Sequence, residues 1–202
     1  MRRIAALIFL DFELLDLFGP MEMFGMLDRD FTLELVSETG GPVRSSAGLA
    51  AQSDRRIEDG VDHDILFVPG GPGTRREVGN TALLDWIAQA SQRAELTLSV
   101  CTGSALLARA FVLDGRRATT NKAAFDWVAE QGHGVDWVRR ARWVRDGAFY
   151  TSSGVSAGMD MALAVIADLR GREVADKVAR DCEYTWHDDP DDDPFAMAHR
   201  SA

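Results

Sequence analysis

Along most of the chain, continuous apolar runs alternate with segments whose apolar residues recur at helical spacing. Residues 2–10, RRIAALIFL, form an apolar run typical of a strand buried on both faces. Residues 14–27 follow with helical spacing, in which Pro20 fits only if it lies in the first turn. The same reasoning predicts strands at 31–37, within 41–57, at 63–73, 95–100 and 116–120, a hairpin at 135–154, and helices at 80–94, 102–113, 122–132, 156–171 and 172–186.

Strands that alternate with helices predict a mainly parallel sheet with helices on both faces, an α/β three-layer sandwich. Ligands of such sheets bind at the carboxyl ends of the strands. The glycine-rich stretch PGGPG (69–73) and Cys101 both fall at predicted strand ends. We therefore expect them to lie at the same edge of the sheet, where a binding site would be.

Cys101 stands between a strand and a helix that begins with small residues, in SVCTGSALL. This order is typical of a nucleophile elbow, and Gly103 would keep the turn uncrowded. The positive end of the following helix would lower the pKa of the thiol. The local pattern fits a second interpretation equally well, because cysteine also packs as a small apolar residue in protein cores.

Two further stretches could complete a site around Cys101. The glycines of PGGPG, among them Gly70 and Gly71, would allow backbone N–H groups to approach a developing negative charge, although an ordinary loop is the alternative. Asp16 lies among leucines, where burial would raise its pKa and suit it to exchange a proton with a thiol. The pattern alone favours the alternative, in which Asp16 has a helix-start role.

Hydroxyl groups and glycines in TSSGVSAGMD (151–160), which includes Ser156, either line the same site or serve close helix packing.

A cysteine–histidine–aspartate triad is not expected, because no histidine is predicted near Cys101. The four histidines are scattered, and the two cysteines form no metal-ligand spacing, so we expect no metal.

Composition narrows the class of protein. The 202 residues fit a single domain, and the formal net charge of −10 argues against a nucleic-acid partner. No stretch is apolar enough to cross a membrane and no leader is evident, so we expect a cytoplasmic protein that acts on a small molecule. The acidic residues 187–202 are interpreted as a surface extension of a domain that spans 1–186.

Five stretches together resemble the DJ-1/PfpI superfamily of the class I glutamine amidotransferase-like fold: LLDLFGPMEMF, PGGPG, SVCTGSALLA, DGRRATTN and TSSGVSAGMDMAL. They occur in the family's order through nearly the whole chain. The resemblance implies a flavodoxin-like sandwich and a homodimer. An aspartate in LDLFGP and a threonine after the cysteine look most like the isonitrile hydratases of this superfamily.

The resemblance also implies residue roles. Cys101 would be the nucleophile, Asp16 its proton partner, and Thr102 and Gly71 the donors of backbone N–H groups. The implied reaction adds water to an isonitrile and gives an N-substituted formamide. It belongs to the lyase class and needs no cofactor. Many relatives carry a histidine where Asn121 stands, which weakens a protease or glyoxalase function.

Two other functions remain open at this point. One is a sensor without catalytic activity, in which Cys101 acts as a redox switch. The other is hydrolase or glyoxalase-like chemistry on amides or aldehydes.

Overall fold

The computed structural model describes residues 1–60 and 62–196. A seven-stranded sheet forms the centre, in the order β10-β11-β7-β6-β1-β2-β5. Every neighbouring pair in it is parallel except β10–β11, so the predicted mainly parallel sheet is confirmed. The strands are β1 Arg2–Leu7, β2 Phe31–Ser37, β3 Gly41–Arg44, β4 Ala50–Ser53, β5 Arg55–Arg56, β6 Ile65–Val68, β7 Leu96–Val100, β8 Arg117–Ala118, β9 Asp136–Trp137, β10 Trp143–Asp146 and β11 Phe149–Ser152.

Helices cover both faces of the sheet and complete the predicted sandwich. They are α1 Leu14–Gly25, α2 Thr74–Glu77, α3 Thr81–Arg93, α4 Gly103–Arg109, α5 Phe125–Ala129, α6 Ala157–Arg170 and α7 Arg172–Asp181. One group contains α1, α6 and α7, which pack against each other, and a second contains α2, α3, α4 and α5. Strands β1 and β6 are almost entirely buried between these layers, which explains their continuous apolar sequence.

Several predicted elements are shorter than their patterns suggested. The strand expected at 116–120 contains only β8, and it pairs in parallel with β9 outside the main sheet. The hairpin expected over 135–154 is confined to β10 and β11, which leaves Asp136–Trp137 to that separate pair. Helix α7 ends at Asp181, five residues before the predicted end.

Pro20 lies in the middle of α1, so its predicted place in the first turn is wrong. A proline there donates no hydrogen bond to the carbonyl four residues earlier, which belongs to Asp16. The helix persists because its buried face, which includes Leu17 and Phe24, packs into the core and against α6. Tertiary packing therefore overrides the local cost of the proline.

The acidic segment after α7 is anchored to the body of the protein at Asp193, while most of its described residues are exposed. The fully buried Asp193 carboxylate lies 3.5 Å from Lys122 Nζ and 3.7 Å from Arg142 Nη1. The Arg142 N–H also donates to the Pro190 carbonyl at 2.7 Å. Two buried cations thus hold part of the segment in place. Residues 197–202 of the predicted extension lie outside the described residues.

Across the described residues, no helix is both long and apolar enough to cross a membrane.

Candidate active site

Cys101 occupies a sharp turn between β7 and α4, as the elbow pattern predicts. Its φ of 55° is in the left-handed region, which a cysteine rarely adopts. Four hydrogen bonds hold this strained backbone. The N–H donates to the carbonyls of Ser152 and Ser153, and the carbonyl accepts from the hydroxyls of Ser104 and Thr120 at 3.0 and 2.8 Å. The surrounding fold thus fixes the position of the thiol.

Close approach of neighbouring backbones explains two glycines at the elbow. A Cβ on Gly103 would lie 2.2 Å from the Val68 carbonyl, and one on Gly70 would lie 2.6 Å from the Thr102 nitrogen. Any side chain at either position would push the glycine-rich loop away from the elbow. The predicted convergence of PGGPG and Cys101 therefore depends on backbone contact.

Asp16, in the first turn of α1, is completely buried and interacts with the Cys101 side chain. Its Oδ2 accepts a hydrogen bond from the Gly70 N–H at 3.0 Å. Among the described residues no partner with ordinary hydrogen-bond geometry reaches Oδ1. The sequence left open whether Asp16 begins a helix or serves chemistry, and the structure places its carboxyl against the thiol rather than on an N-terminal backbone amide.

Burial shifts the proton affinities of both groups upward. Loss of solvent raises the pKa of Asp16 to about 7, while the Gly70 hydrogen bond opposes the shift. Burial, and then the charge of Asp16, raise the pKa of the Cys101 thiol. The expectation that the helix would lower the thiol pKa is therefore wrong, because desolvation outweighs the helix dipole. Near neutral pH the pair retains a proton between them.

The loop glycines do not play the predicted part of free N–H donors. The Gly71 N–H donates to the Thr102 hydroxyl at 3.0 Å, and the Gly70 N–H is engaged by Asp16. The Thr102 hydroxyl also lies 3.1 Å from that of Thr74. Both N–H groups of the loop thus have partners within the protein and fix Asp16 and Thr102. The Thr102 N–H, in contrast, reaches the Cys101 sulfur.

Val155 supplies a second N–H to the Cys101 sulfur, and sequence reasoning missed it. Its φ of 41° is exceptional for a β-branched residue. A backbone donor leaves no trace in residue type, so the only sequence signal was the position of TSSGVSAGMD after a strand. Two N–H groups, from Thr102 and Val155, therefore converge on the sulfur from different elements.

A cavity of about 270 Å³ gives access to Cys101, which is only 7% exposed. The cavity is lined by Glu13, Gly71, Pro72, Arg75, Cys101, Thr102, Asn121, Ala123, Ala124 and Val155. The space suits a compact molecule rather than a polymer. No histidine is among the described residues that line the cavity.

Two predicted binding residues have mainly structural contacts. Asn121 lines the cavity, but its Oδ1 accepts from the Ala124 N–H at 3.1 Å, just before α5. Ser156 lines an adjacent cavity instead, where its hydroxyl lies 3.5 Å from Arg142 Nη2. Ser156 is therefore not brought to the thiol.

In the described part of the chain, no group of three or more histidine, cysteine or acidic side chains is arranged to hold a metal.

The chain matches known proteins along most of its length. The DJ-1/PfpI family model matches residues 2–168. Isonitrile hydratase from Pseudomonas putida is 36% identical over 182 residues, which are 90% of this chain and 78% of the relative. The HTH-type transcriptional regulator CdhR from Pseudomonas aeruginosa is 34% identical over 79% of this chain but only 47% of its own length.

Among solved structures, a ThiJ/PfpI family protein from Pseudomonas syringae superposes with a TM-score of 0.84. It is 34% identical and is matched over 91% of this chain and 75% of its own. The sandwich fold of this chain therefore has a solved counterpart.

Proposed function

Because the chain belongs to the DJ-1/PfpI family, we propose that it is a cofactor-independent enzyme that hydrates isonitriles, with Cys101 as nucleophile and Asp16 as proton partner. The observation that carries the proposal is the buried thiol–carboxyl pair at a strained elbow, with no histidine lining its cavity. Isonitrile hydration needs a nucleophile and a proton at the same carbon. A pair that shares a proton near neutral pH supplies both.

In the first step, the sulfur bonds to the terminal isonitrile carbon as its proton passes through Asp16 to that same carbon. The product is a thioimidate, in which the carbon is bonded to sulfur, hydrogen and nitrogen. Thr102 and Val155 N–H groups stabilise negative charge on the sulfur before the bond forms. Division of hydration into two steps through a covalent intermediate lowers the barrier of each.

In the second step, water adds to the same carbon. Asp16 as carboxylate takes one proton from the water, and the second proton moves from the water oxygen to the nitrogen as that oxygen becomes the formamide carbonyl. The C–S bond then breaks, the thiolate recovers its proton from Asp16, and an N-substituted formamide leaves. One water is consumed, and both side chains return to their starting states.

The direct test is incubation of the purified protein with a short alkyl isonitrile in ¹⁸O-labelled water. We expect the N-formyl product, two mass units heavier, to form faster than in buffer or with the Cys101→Ala variant. Absence of isonitrile turnover over the buffer rate would reject the hydratase activity.

Similarity to CdhR favours a second candidate, a ligand-sensing domain that does not turn its ligand over. A redox form of this function is disfavoured by the raised thiol pKa, because oxidation begins from the thiolate. Saturable binding of an isonitrile with no formamide product would support the sensor over the enzyme.

The homodimer stays part of the proposal. Leu15 and Phe18 on α1 are 41% and 44% exposed, which leaves apolar surface for a second copy. Light scattering in solution measures this directly, and a monomeric mass would contradict it.

Asp16→Asn is expected to reduce activity and increase stability. Loss of the proton partner should lower kcat/KM by about 10²- to 10⁴-fold. In the wild type, kcat/KM should rise with pH around an apparent pKa of about 7, because the carboxyl must be ionised to accept the thiol proton. The kcat/KM of Asp16→Asn should show no such rise with pH.

The stability change follows from the same raised pKa. The folded protein binds more protons at Asp16 than the unfolded chain between pH 3.8 and about 7, so the wild type loses stability as pH rises across that window. The stability advantage of Asp16→Asn should thus widen by about 2–3 kcal/mol between pH 5 and 8 in urea denaturation. Glu22→Gln, an exposed change on the same helix, should show no such widening. A difference in unfolding free energy between the wild type and Asp16→Asn that does not change with pH would contradict the burial of the Asp16 carboxyl.

A further inference from the structure

Arg75 lines the same cavity as Cys101 and has no ion pair or side-chain hydrogen bond among the described residues. Its guanidinium carbon lies 4.5 Å from the centre of the Trp127 ring, over its face. Stacking of this kind holds a guanidinium in place while its N–H edges stay open to a ligand. The cavity therefore carries a positioned cation with unused donors.

The next residue provides a contrast. Arg76 pairs with the carboxylates of Asp11 and Glu77, and its Nη2 donates to the Leu10 carbonyl. Ten arginines among the described residues form ion pairs with carboxylates. Arg75 has none although it lies beside Arg76 on the same short helix. Its charge is thus left for something that enters the cavity.

Glu13 is the other charged residue of the lining, and it does not pair with Arg75. Its Oε2 accepts a hydrogen bond from the Ser46 hydroxyl at 2.9 Å. Glu13 thus already has a donor within the protein, whereas the described residues offer no acceptor to the Arg75 guanidinium. The lining thus favours an anionic ligand group.

On the basis of the proposed function, we propose that Arg75 determines substrate specificity by binding a carboxylate on the substrate, which is a short isonitrile with an anionic tail. A guanidinium matches a carboxylate with two parallel N–H donors. Cys101 and Arg75 line the same cavity of about 270 Å³, which suits a short substrate that carries both groups.

The first arm of the test compares isocyanoacetate with isocyanoacetamide, which have the same size but differ in charge. The ratio of their kcat/KM values should fall by about tenfold in Arg75→Gln, and Arg75→Lys should retain part of it. The exposed Arg109→Gln, which removes the same charge outside the cavity, should leave the ratio unchanged. High salt should lower the wild-type ratio. An unchanged ratio in Arg75→Gln overturns the proposal.

A second arm does not depend on turnover. Iodoacetate carries a carboxylate, as isocyanoacetate does, and iodoacetamide carries an amide, as isocyanoacetamide does. Each reagent alkylates a thiol when the sulfur bonds to the CH₂ carbon, iodide leaves and the thiol proton passes to the solvent. Mass spectrometry of the Cys101 peptide gives the ratio of the two rates, with the free Cys182 as internal reference. Relative to Cys182, preference for iodoacetate at Cys101 should fall in Arg75→Gln.

The two arms separate the possible failures. Alkylation of Cys101 without hydration of any isonitrile rejects the proposed function, while the alkylation ratio still decides the role of Arg75. Equal ratios in wild type and Arg75→Gln reject anion binding, whatever the activity. If neither reagent labels Cys101 and no isonitrile is hydrated, both proposals fail.

Discussion

Replacement of Cys101 by alanine is expected to lower kcat/KM for isonitrile hydration on the order of 10⁴- to 10⁶-fold, the range found when a covalent nucleophile is removed. The reason is geometric. Among the residues that line the cavity, Cys101 carries the one thiol, and Asp16, Thr102 and Val155 all direct hydrogen-bonding groups at its sulfur. Without the sulfur, water would have to attack the isonitrile directly.

Two controls make the result interpretable. Cys182→Ala removes the other free cysteine, which lies just after α7 and outside the cavity, and it should keep full activity. Circular dichroism and thermal unfolding should show that Cys101→Ala folds, since alanine fits the space of the thiol. Formamide production by the alanine variant within tenfold of the wild type would rule out a covalent intermediate.

Much of this site could be predicted because its signals are local. The strand-to-helix change around Cys101, the glycines of PGGPG and the acid in LLDLFGP each mark a strand end or a helix start. Parallel topology then brings strand ends to one edge. Continuous apolar runs also predicted β1 and β6. A strand that is buried on both faces is apolar along its whole length, so its own sequence shows the burial without any information about neighbouring elements.

The direction of the thiol pKa could not be predicted, because it depends on how deeply the elbow is buried. The sequence indicates a helix after Cys101 and hence a dipole that stabilises a thiolate. It does not show that Asp16 and the loop would exclude water from the sulfur. Likewise, the N–H donor of Val155 belongs to the backbone, and its direction follows from a φ angle that the residue type does not dictate.

The C-terminal segment illustrates the same limit for charged residues. A run of aspartates favours a solvated surface, because an unpaired buried charge is costly. Asp193 is buried because two cations distant in sequence, Lys122 and Arg142, meet it in the fold. Burial also lowers the pKa of Lys122 to about 8, an effect that Asp193 opposes. Such pairing depends on long-range contacts that periodicity does not encode.

Asp160→Asn is expected to lower the free energy of unfolding by about 3–5 kcal/mol, the usual cost when one member of a buried ion pair is removed. The carboxylate of Asp160 is fully buried and lies 2.6 Å from Arg142 Nη2. It also accepts hydrogen bonds from the Tyr184 hydroxyl at 3.0 Å and the His187 N–H at 2.9 Å. Loss of its charge leaves Asp193, 3.7 Å away, as the one carboxylate paired with the buried Arg142 among the described residues.

Urea denaturation of four variants tests this assignment. Asp176→Asn breaks an exposed pair on α7, with side chains that are 57% and 38% exposed, and should cost less than about 1 kcal/mol. Arg142→Met alone should also be costly, because it leaves Asp160 as a buried charge. The double variant with Asp160→Asn should lose less than the sum of the two single changes, since both members of the pair are then gone. Strict additivity, or a cost for Asp160→Asn no larger than for Asp176→Asn, would contradict a buried pair that anchors the C-terminal segment to the domain.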